Sequence, residues 1–424
     1  MSLNLSDGDR VCIVGGGPAG SFAALHLLHL IQERGLRLEV MIFEPRDFSR
    51  PGPGGCNQCA GILSSRLLRG LNSLGISLPE EVIQAEVNAY AVHLEGGPLR
   101  IEQPDPSRSV VSIYRGGGPR LIQGEPSASF DSFLLSEACA RGAQHIPWRV
   151  RKVTWEERPV VHTARDHYPA DLLVLATGIN SRAPLDPTFG YRPPKTEVMA
   201  QDEFLRPPDW PPDQISAFFK EPSGLVFGAI IPKGRYLNIS LLGRDMTRDA
   251  ISDFIVAQGL SSFLPPPPGS LCGCTPRIAV RLARRYYGKR WIAIGDAAVS
   301  RLYKDGIGSA FTTAQKAMEA VVRVGISRHA FRKAYAPFCR QIARDNVYGR
   351  ILFRLWFFTL RIPLLTHGWV RAIQMENESP PESPIHGRVL WGMFTGDEPY
   401  RDIFRLSLSP QGLATLWRGI RRND

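Results

Sequence analysis

The chain has 424 residues, of which 43% are apolar and 21% charged, so it is long enough for two or three domains with packed cores. The net charge of +11 favours anionic partners, but the basic residues form no nucleic-acid-binding module, and a nucleic-acid partner is not expected. No apolar run predicts a membrane-spanning helix, and seven cysteines without a secretory signal pattern predict a chain that works in the reducing cytoplasm.

A glycine-rich turn joins the first predicted strand to the first predicted helix. Residues 10–14 (RVCIV) have the apolar density of a buried parallel strand, and the helical spacing of apolar residues after the turn continues to Gly35. In this context the pattern Gly-x-Gly-x-x-Gly predicts a dinucleotide site, because glycines let a pyrophosphate approach the backbone at a helix N-terminus. The candidate cofactor residues here are Gly15, Gly17, Pro18, Ala19 and Gly20.

The second predicted strand, residues 36–44, ends on an acidic residue. Glu44 follows Gly20 by 24 positions (44 − 20). This is close to the offset of about 20 at which a carboxylate accepts hydrogen bonds from a ribose in dinucleotide-binding folds. Glu44 is therefore predicted to contact the cofactor.

Four of the cysteines form two close pairs. Cys56 and Cys59 make a C-x-x-C pattern after the second strand, and Cys272 and Cys274 make a C-x-C pattern much later. Four thiols fit zinc or an iron–sulfur cluster, and two vicinal pairs also fit a redox disulfide. The third interpretation is that these residues only pack.

Several segments predict a mostly antiparallel sheet. Residues 86–103 are strand-like, and residues 224–243 contain two apolar runs separated by Gly-Arg, as in a hairpin. The glycine-rich segment 114–120 (YRGGGPR) lies between them. It predicts either an anion-binding loop or a plain turn with solvated arginines.

Two further apolar strands end in small residues. Residues 168–180 end in Ala-Thr-Gly, and residues 290–296 end in Gly-Asp, followed by a glycine-bearing loop and a helix. Parallel strands that end at one edge would bring these motifs to the first glycine turn. The candidate cofactor residues here are Ala176, Thr177, Gly178, Gly295, Asp296, Gly306, Ile307 and Gly308.

Residues 346–373 are aromatic and aliphatic with four interspersed arginines. This composition predicts a helix that lies in a membrane interface or covers a lipid tunnel. The alternative is a helix pair packed on the core, with arginines that extend to water.

The order of the nucleotide motifs resembles that of the para-hydroxybenzoate hydroxylase-like flavoproteins, from residue 10 to about 320. The resemblance implies bound FAD, and it includes a Phe-Asp-x-x-Leu helix at residues 130–134. Ser127 replaces the family's usual arginine and Tyr303 its usual loop proline. Lys304 then either stabilises negative charge on the reduced flavin, as a catalytic residue, or lies on the surface.

Two segments resemble the geranylgeranyl reductase family more specifically. In residues 50–68, Cys59 matches the family's cysteine, and Gly61 and Leu63 match its glycine turn, whereas Ala60 and Ile62 depart from it. The resemblance implies that Cys59 lies beside the flavin, where it donates a proton, positions the substrate or simply packs. The second segment is the strand-like stretch 227–243, in which the resemblance implies five substrate residues. Three of them match the family, namely Phe227, Pro232 and Lys233, and two depart from it, namely Ala229 and Ile231.

The resemblance implies an α/β fold in which a Rossmann-like FAD-binding domain with a parallel sheet is interwoven with a mostly antiparallel substrate-binding sheet. The FAD-binding domain is expected at residues 1–75, 110–185 and 275–345, and the substrate domain at 76–109 and 186–274. A helical C-terminal module is expected at residues 346–424.

The implied activity is that of an FAD-dependent reductase that saturates carbon–carbon double bonds in an isoprenoid or another hydrophobic substrate. The first alternative is a flavin-dependent monooxygenase. The second is an electron-transfer or redox-sensing flavoprotein that uses the cysteine pairs as an iron–sulfur cluster or a disulfide. The expected partners are an electron donor, either NAD(P)H or reduced ferredoxin, and a membrane surface in peripheral contact.

Overall fold

The computed structural model describes residues 3–56, 60–94, 97–122, 124–220, 224–243, 246–264, 271–378 and 384–421. The strands are β1 (Arg10–Val14), β2 (Glu39–Phe43), β3 (Ile62–Leu63), β4 (Ile83–Glu86), β5 (Ala89–Leu94), β6 (Gly97–Glu102), β7 (Val111–Ile113), β8 (Gln144–Ile146), β9 (Lys152–Trp155), β10 (Pro159–His162), β11 (His167–Pro169), β12 (Leu172–Leu175), β13 (Thr196–Leu205), β14 (Gln214–Phe218), β15 (Leu225–Lys233), β16 (Tyr236–Gly243), β17 (Arg277–Ala279), β18 (Tyr287–Gly288) and β19 (Trp291–Ala293). The helices are α1 (Pro18–Gln32), α2 (Ser65–Ser73), α3 (Phe130–Ala140), α4 (Ala250–Ala257), α5 (Gly306–Arg323), α6 (Arg328–Ala334), α7 (Ala336–Arg361), α8 (Pro363–Glu378), α9 (His386–Thr395), α10 (Tyr400–Ser407) and α11 (Pro410–Arg421).

A six-stranded sheet has the order β18-β19-β12-β1-β2-β8, and all of its pairs except β18–β19 are parallel. Both faces are buried, which explains the continuous apolar runs. Val11 and Ile13 pack on the helical side with α1 and α5, while Cys12 and Val14 pack toward the small sheet β11-β10-β9. The carboxyl ends of β1 and β12 therefore lie side by side, as the motif order predicts.

A seven-stranded sheet has the order β17-β13-β16-β15-β14-β5-β6 and is antiparallel except for the pair β14–β5. The predicted hairpin is present, because β15 and β16 turn at Gly234, whose φ of +58° suits glycine. Ile230 and Ile239 face α4 across one side of the sheet. The opposite side is called the inner face below, and its side chains come from Gln201, Glu203, Phe227, Ala229, Ile231, Lys233, Asn238 and Ser240.

The C-terminal residues form helices α7 to α11. Leu352, Phe353 and Trp356 of α7 pack with the apolar part of the inner face, whereas Leu355 and Phe358 on the same helix are exposed. One face of α7 therefore packs on the sheet and the other is exposed, and contact of this segment with a membrane stays a prediction. None of the described helices combines the length and apolar character needed to cross a bilayer.

Candidate functional site

The predicted glycine turn connects β1 to α1 and leaves no room for side chains. A Cβ atom on Gly15 would lie 2.5 Å from the carbonyl oxygen of Ala176, at the end of β12. A Cβ on Gly20 would collide with the carbonyl oxygen of Gly15. Gly17 is the N-cap of α1, and Pro18 occupies the first helical position. The turn thus presents bare backbone at the positive end of a helix dipole.

Two polar side chains flank this turn. Glu44 is buried, and one of its carboxylate oxygens accepts a hydrogen bond from the backbone N–H of Gly16 at 3.0 Å. This contact fixes the carboxylate beside the turn, while each oxygen keeps further acceptor capacity. The hydroxyl of Thr177 is buried without a hydrogen-bond partner among the described residues. An orphaned buried hydroxyl at the mouth of the turn fits a polar ligand there.

The Gly-Asp motif reaches the same edge. Gly295 has a φ of +56°, and a Cβ on it would lie 2.9 Å from the Cβ of Ala19. Burial raises the pKa of Asp296 above its ordinary value, while a hydrogen bond with Ser300 and the charge of Arg115 oppose that rise. The Gly-Asp motif, which is far from the glycine turn in sequence, therefore packs directly on α1.

Arg115 places a positive charge within electrostatic reach of the Gly-Asp motif. Its guanidinium forms two hydrogen bonds with the fully buried carboxylate of Asp131 on α3, at 3.0 and 2.8 Å. The arginine also acts electrostatically on Asp296. Of the two interpretations of residues 114–120, solvated arginines do not apply to Arg115, which is only 16% exposed.

Lys304 lies in a strained loop at the start of α5. Tyr303 and Asp305 on either side have φ values of +65° and +56°, which is uncommon for residues with a Cβ. The Lys304 ammonium lies 3.2 Å from the centre of the Phe227 ring, and burial lowers its pKa to about 7. The structure thus places the Lys304 ammonium against the inner face, and its role toward the flavin stays a prediction.

The other half of the inner face is aromatic and closed by the C-terminal helices. Phe227 packs against Phe394 of α9 and Phe219, with ring centroids 5.6 and 5.5 Å apart. Ala229 and Ile231 belong to the same buried cluster. Three of the predicted substrate residues are therefore lined up along β15, beneath α7 and α9. Pro232 is on the same strand, and its carbonyl accepts a hydrogen bond from the Ser112 hydroxyl.

A chain of buried polar side chains crosses β13, β16 and the end of β15. Gln201 donates to the hydroxyl of Ser240 at 2.8 Å, and Ser240 donates to the amide oxygen of Asn238 at 2.6 Å. Asn238 donates to Glu203 at 3.4 Å, and the Glu203 carboxylate lies 3.7 Å from the Lys233 ammonium. All five are nearly inaccessible to solvent. Burial raises the pKa of Glu203, and the Lys233 charge opposes this.

The Lys233 end of this polar chain meets the turn that follows the cysteine segment. The ammonium lies 4.6 Å from the centre of the Tyr114 ring, and a Cβ on Gly61 would lie 3.1 Å from it. The Tyr114 hydroxyl is buried with no hydrogen-bond partner in the described part of the chain. Leu63 is buried in β3. This corner therefore holds a charged pair and an orphaned hydroxyl, which is a costly arrangement unless a ligand completes it.

Cys56, Cys272 and Cys274 lie within electrostatic reach of one another. Burial raises the pKa of Cys272 to about 11, with a smaller contribution from Cys56, and burial also raises the pKa of Cys274. Cys59 lies outside the described residues. Among the residues that are described, no cluster of three or more metal-ligating side chains has a geometry suited to a metal ion.

Sequence reasoning missed the polar chain of the inner face. The signal was present in residues 236–243 (YLNISLLG), where Tyr, Asn and Ser alternate with Leu, Ile and Leu. Such alternation ordinarily predicts one face in water. Here both faces are buried, so the polar positions become an internal wall.

No family model matches the chain. An uncharacterized protein of Methanosarcina barkeri (strain Fusaro / DSM 804) is 25% identical over 179 residues, which cover 40% of this chain. The chain spans 37% of the length of that curated relative.

Solved structures match over nearly the whole chain. A geranylgeranyl bacteriochlorophyll reductase-like protein from Thermoplasma acidophilum aligns with a TM-score of 0.63 at 15% identity, covering 98% of this chain and 100% of that one. A p-nitrophenol 4-monooxygenase from Pseudomonas putida DLL-E4 aligns with a TM-score of 0.56 at 13% identity, covering 98% and 97%. The α/β fold with a Rossmann-like sheet, a second antiparallel sheet and C-terminal helices is confirmed, and these two proteins share it.

Proposed function

We propose that the chain is an FAD-dependent oxidoreductase that saturates carbon–carbon double bonds in an isoprenoid or another hydrophobic substrate. The observation that carries the proposal is the backbone cradle at Gly15, Gly17 and Gly20, with the orphaned Thr177 hydroxyl beside it and the start of α5 opposite. The residues proposed to hold the cofactor lie in 1–75, 110–185 and 275–345. When bound, the flavin supplies the hydride.

The inner face supports a hydrophobic substrate beside that cofactor. Phe227, Ala229 and Ile231 offer an apolar wall about 13 Å long, since strand residues rise about 3.3 Å each. At one end Lys304 provides a cation with a pKa lowered to about 7 by burial. At the other end Lys233 and Tyr114 face the turn that follows Cys59. Cys59 is proposed to give the second carbon its proton, and its segment lies outside the described residues.

The experiment is an anaerobic turnover. The purified chain is loaded with FAD, reduced with dithionite and mixed with geranylgeraniol. The proposal expects the flavin absorbance near its oxidised maximum to return and the alcohol to gain two hydrogen atoms by mass spectrometry. An oxidised spectrum that returns only when oxygen is admitted, with no hydrogenated product, would count against the reductase.

The second candidate is a flavin-dependent monooxygenase, and the unpartnered Tyr114 hydroxyl favours it. A phenolic or carbonyl oxygen would complete that corner better than a bare hydrocarbon does. The likeness in fold to p-nitrophenol 4-monooxygenase adds support. Oxygen consumption that rises only when a hydroxylated aromatic compound is added would identify this activity.

The electron donor and the membrane contact are further parts of the proposal. NAD(P)H or reduced ferredoxin is proposed as the donor. Peripheral contact with a membrane is supported by exposed apolar side chains on the C-terminal helices, including Phe358, Leu364 and Trp417. Arg354 and Arg361 are exposed on α7, and residues 346–375 contain no acidic residue, which suits an anionic lipid surface.

A further inference from the structure

A cleft separate from the inner face opens beside α5. It has a volume of about 1080 Å³ and is bounded by α2, α7, the segment before α10 and one face of α5, which contributes Gly308, Phe311, Thr312 and Gln315. It shares only Gly308 with the predicted cofactor residues, and none of the predicted substrate residues lines it. We propose that this cleft binds a phosphate or diphosphate ester that carries an apolar or aromatic group. The proposal does not depend on the proposed function.

Four guanidinium groups line the cleft, from Arg66, Arg301, Arg344 and Arg401. Within the described ranges, the side chains of Arg66, Arg344 and Arg401 form no ion pair and no hydrogen bond. Arg301 is 9% exposed, and its guanidinium donates one hydrogen bond to the carbonyl of Gly392 at 3.4 Å. Its Nε atom is buried and has no hydrogen-bond partner in the described part of the chain. Its guanidinium stacks 3.8 Å above the ring of Tyr400, so its orientation is fixed. Arg301 is thus held in place, and the exposed Arg66, Arg344 and Arg401 add further N–H donors and positive charge, which suits the oxygen atoms of a phosphate.

The acidic residues of the cleft have other partners. Asp345 accepts hydrogen bonds from the backbone N–H groups of Tyr400 and Arg401 at 3.0 and 2.9 Å. Asp305 accepts from the N–H of Gly308 and the hydroxyl of Ser64. These carboxylates cap helices α10 and α5. Arg301 and Arg66 act on Asp305 electrostatically, but neither forms an ion pair with it. The third, Asp402, is exposed in the first turn of α10.

The remaining wall is apolar, and this determines the other half of the ligand. It is formed largely by Phe311, Phe338, Ile342, Val347, Tyr348 and Ile351. Val347 is 45% exposed there. A cleft of about 1080 Å³ is far larger than an inorganic phosphate, so an ion alone would leave this wall in water. An apolar or aromatic group attached to the phosphate would cover it.

Two classes of compound combine phosphate groups with an apolar or aromatic group, namely prenyl diphosphates and dinucleotides. A titration distinguishes between them. The full chain is titrated by calorimetry with farnesyl diphosphate, NADPH, farnesol and inorganic pyrophosphate. The proposal expects saturable binding of farnesyl diphosphate or of NADPH, and whichever binds more tightly names the source. Farnesol and pyrophosphate are each expected to bind at least about tenfold more weakly than the tighter ester, a difference of 1.4 kcal/mol.

Two variants assign the binding to this cleft. The double variant R66Q/R344Q should weaken the tighter ester at least about tenfold, and Val347→Glu should do the same by adding a negative charge to the wall. Arg340→Gln is the matched control, because Arg340 is exposed on the same helix as Arg344 but outside the cleft. Absence of saturable binding by both esters, equal binding of farnesol, or unchanged affinity in both cleft variants would overturn the proposal. The flavin content of each sample, measured by absorbance, reports separately on the proposed function.

Discussion

The glycine turn and the inner face of the seven-stranded sheet use opposite means to shape a site. At the turn, backbone atoms form the surface of the site, because a Cβ on Gly20 or Gly15 would collide with backbone carbonyl oxygens. On the inner face, side chains form the surface, namely the polar chain that ends at Lys233 and the aromatic wall around Phe227. Backbone geometry is independent of most substitutions, whereas a side-chain wall changes with each one.

This difference explains why one region matches a known sequence pattern more fully than the other. The turn keeps every glycine of the dinucleotide pattern, but on the inner face Ala229 and Ile231 depart from the geranylgeranyl reductase pattern that their strand resembles. A phosphate-binding turn binds the same cofactor in many enzymes, whereas the side chains of a substrate-binding wall differ with the substrate. The proposal can accordingly name one cofactor, FAD, but only a class of substrates.

The largest effect is expected from Gly20→Ala. The new methyl group would meet the carbonyl oxygen of Gly15, which is backbone and cannot move without displacing α1. The free energy of unfolding should fall by about 4 kcal/mol or more, and FAD should no longer be retained. Urea unfolding and flavin absorbance measure the two effects.

The control for this substitution is Gly54→Ala. A Cβ on Gly54 meets no atom of the described residues within 4 Å. Its effect on the free energy of unfolding should stay within about 0.5 kcal/mol. Equal flavin retention by Gly20→Ala and Gly54→Ala would show that the turn does not work through backbone approach.

The next effect is expected from Lys233→Met on the inner face. The substitution leaves the Glu203 carboxylate buried without its cation, which should cost about 3 kcal/mol. Burial already raises the pKa of Glu203 above 4.5, so the folded state holds its proton more tightly than the unfolded state. Stability is therefore lost as the pH rises above this value, and the deficit of Lys233→Met should shrink as the pH falls toward 4.5.

Urea unfolding of Lys233→Met at several pH values measures this deficit. The exposed Lys289→Met is the control and should change little. The double variant E203Q/K233M should recover most of the stability. If the loss of unfolding free energy in Lys233→Met does not depend on pH, the buried charge of Glu203 is not its cause.

A smaller effect concerns the pH dependence of stability at Lys304. Burial lowers the pKa of this lysine from 10.5 to about 7, so between these values the folded state binds fewer protons than the unfolded state. The stability of the wild-type chain should therefore rise with pH across this interval, and Lys304→Met should lack that part of the rise. Lys304→Arg does not titrate there and should lack it too. Parallel stability curves for all three proteins would place Lys304 in water.

The smallest effect is expected at Cys272. Because burial raises its pKa to about 11, the thiolate is scarce at pH 8, and iodoacetamide should label Cys272 about a hundredfold more slowly than free cysteine. Peptide mapping after timed labelling measures this rate. Rapid labelling, or a disulfide between Cys272 and Cys59, would instead favour the redox-sensing interpretation of the cysteine pairs.

Local spacing was enough to predict the turn, the hairpin and the ends of β1, β12 and β19, because each depends on residues that are near in sequence. The position of Arg115 beside Asp296 was not predictable, since it depends on how two loops meet across the fold. The polar chain was not predictable for a different reason. Asn238 and Ser240 alternate with apolar residues as they would on a solvent-exposed strand, and only the tertiary packing of the chain makes that face internal.

The central claim is that a flavin dinucleotide binds to bare backbone between β1 and α1. The most direct measurement is a titration of the flavin-free chain with FAD, followed by absorbance and calorimetry. The account predicts saturable uptake of one FAD per chain in the wild-type and Gly54→Ala proteins and none in Gly20→Ala. A wild-type chain that remains colourless at saturating FAD, or a Gly20→Ala variant that takes up FAD equally well, would contradict it.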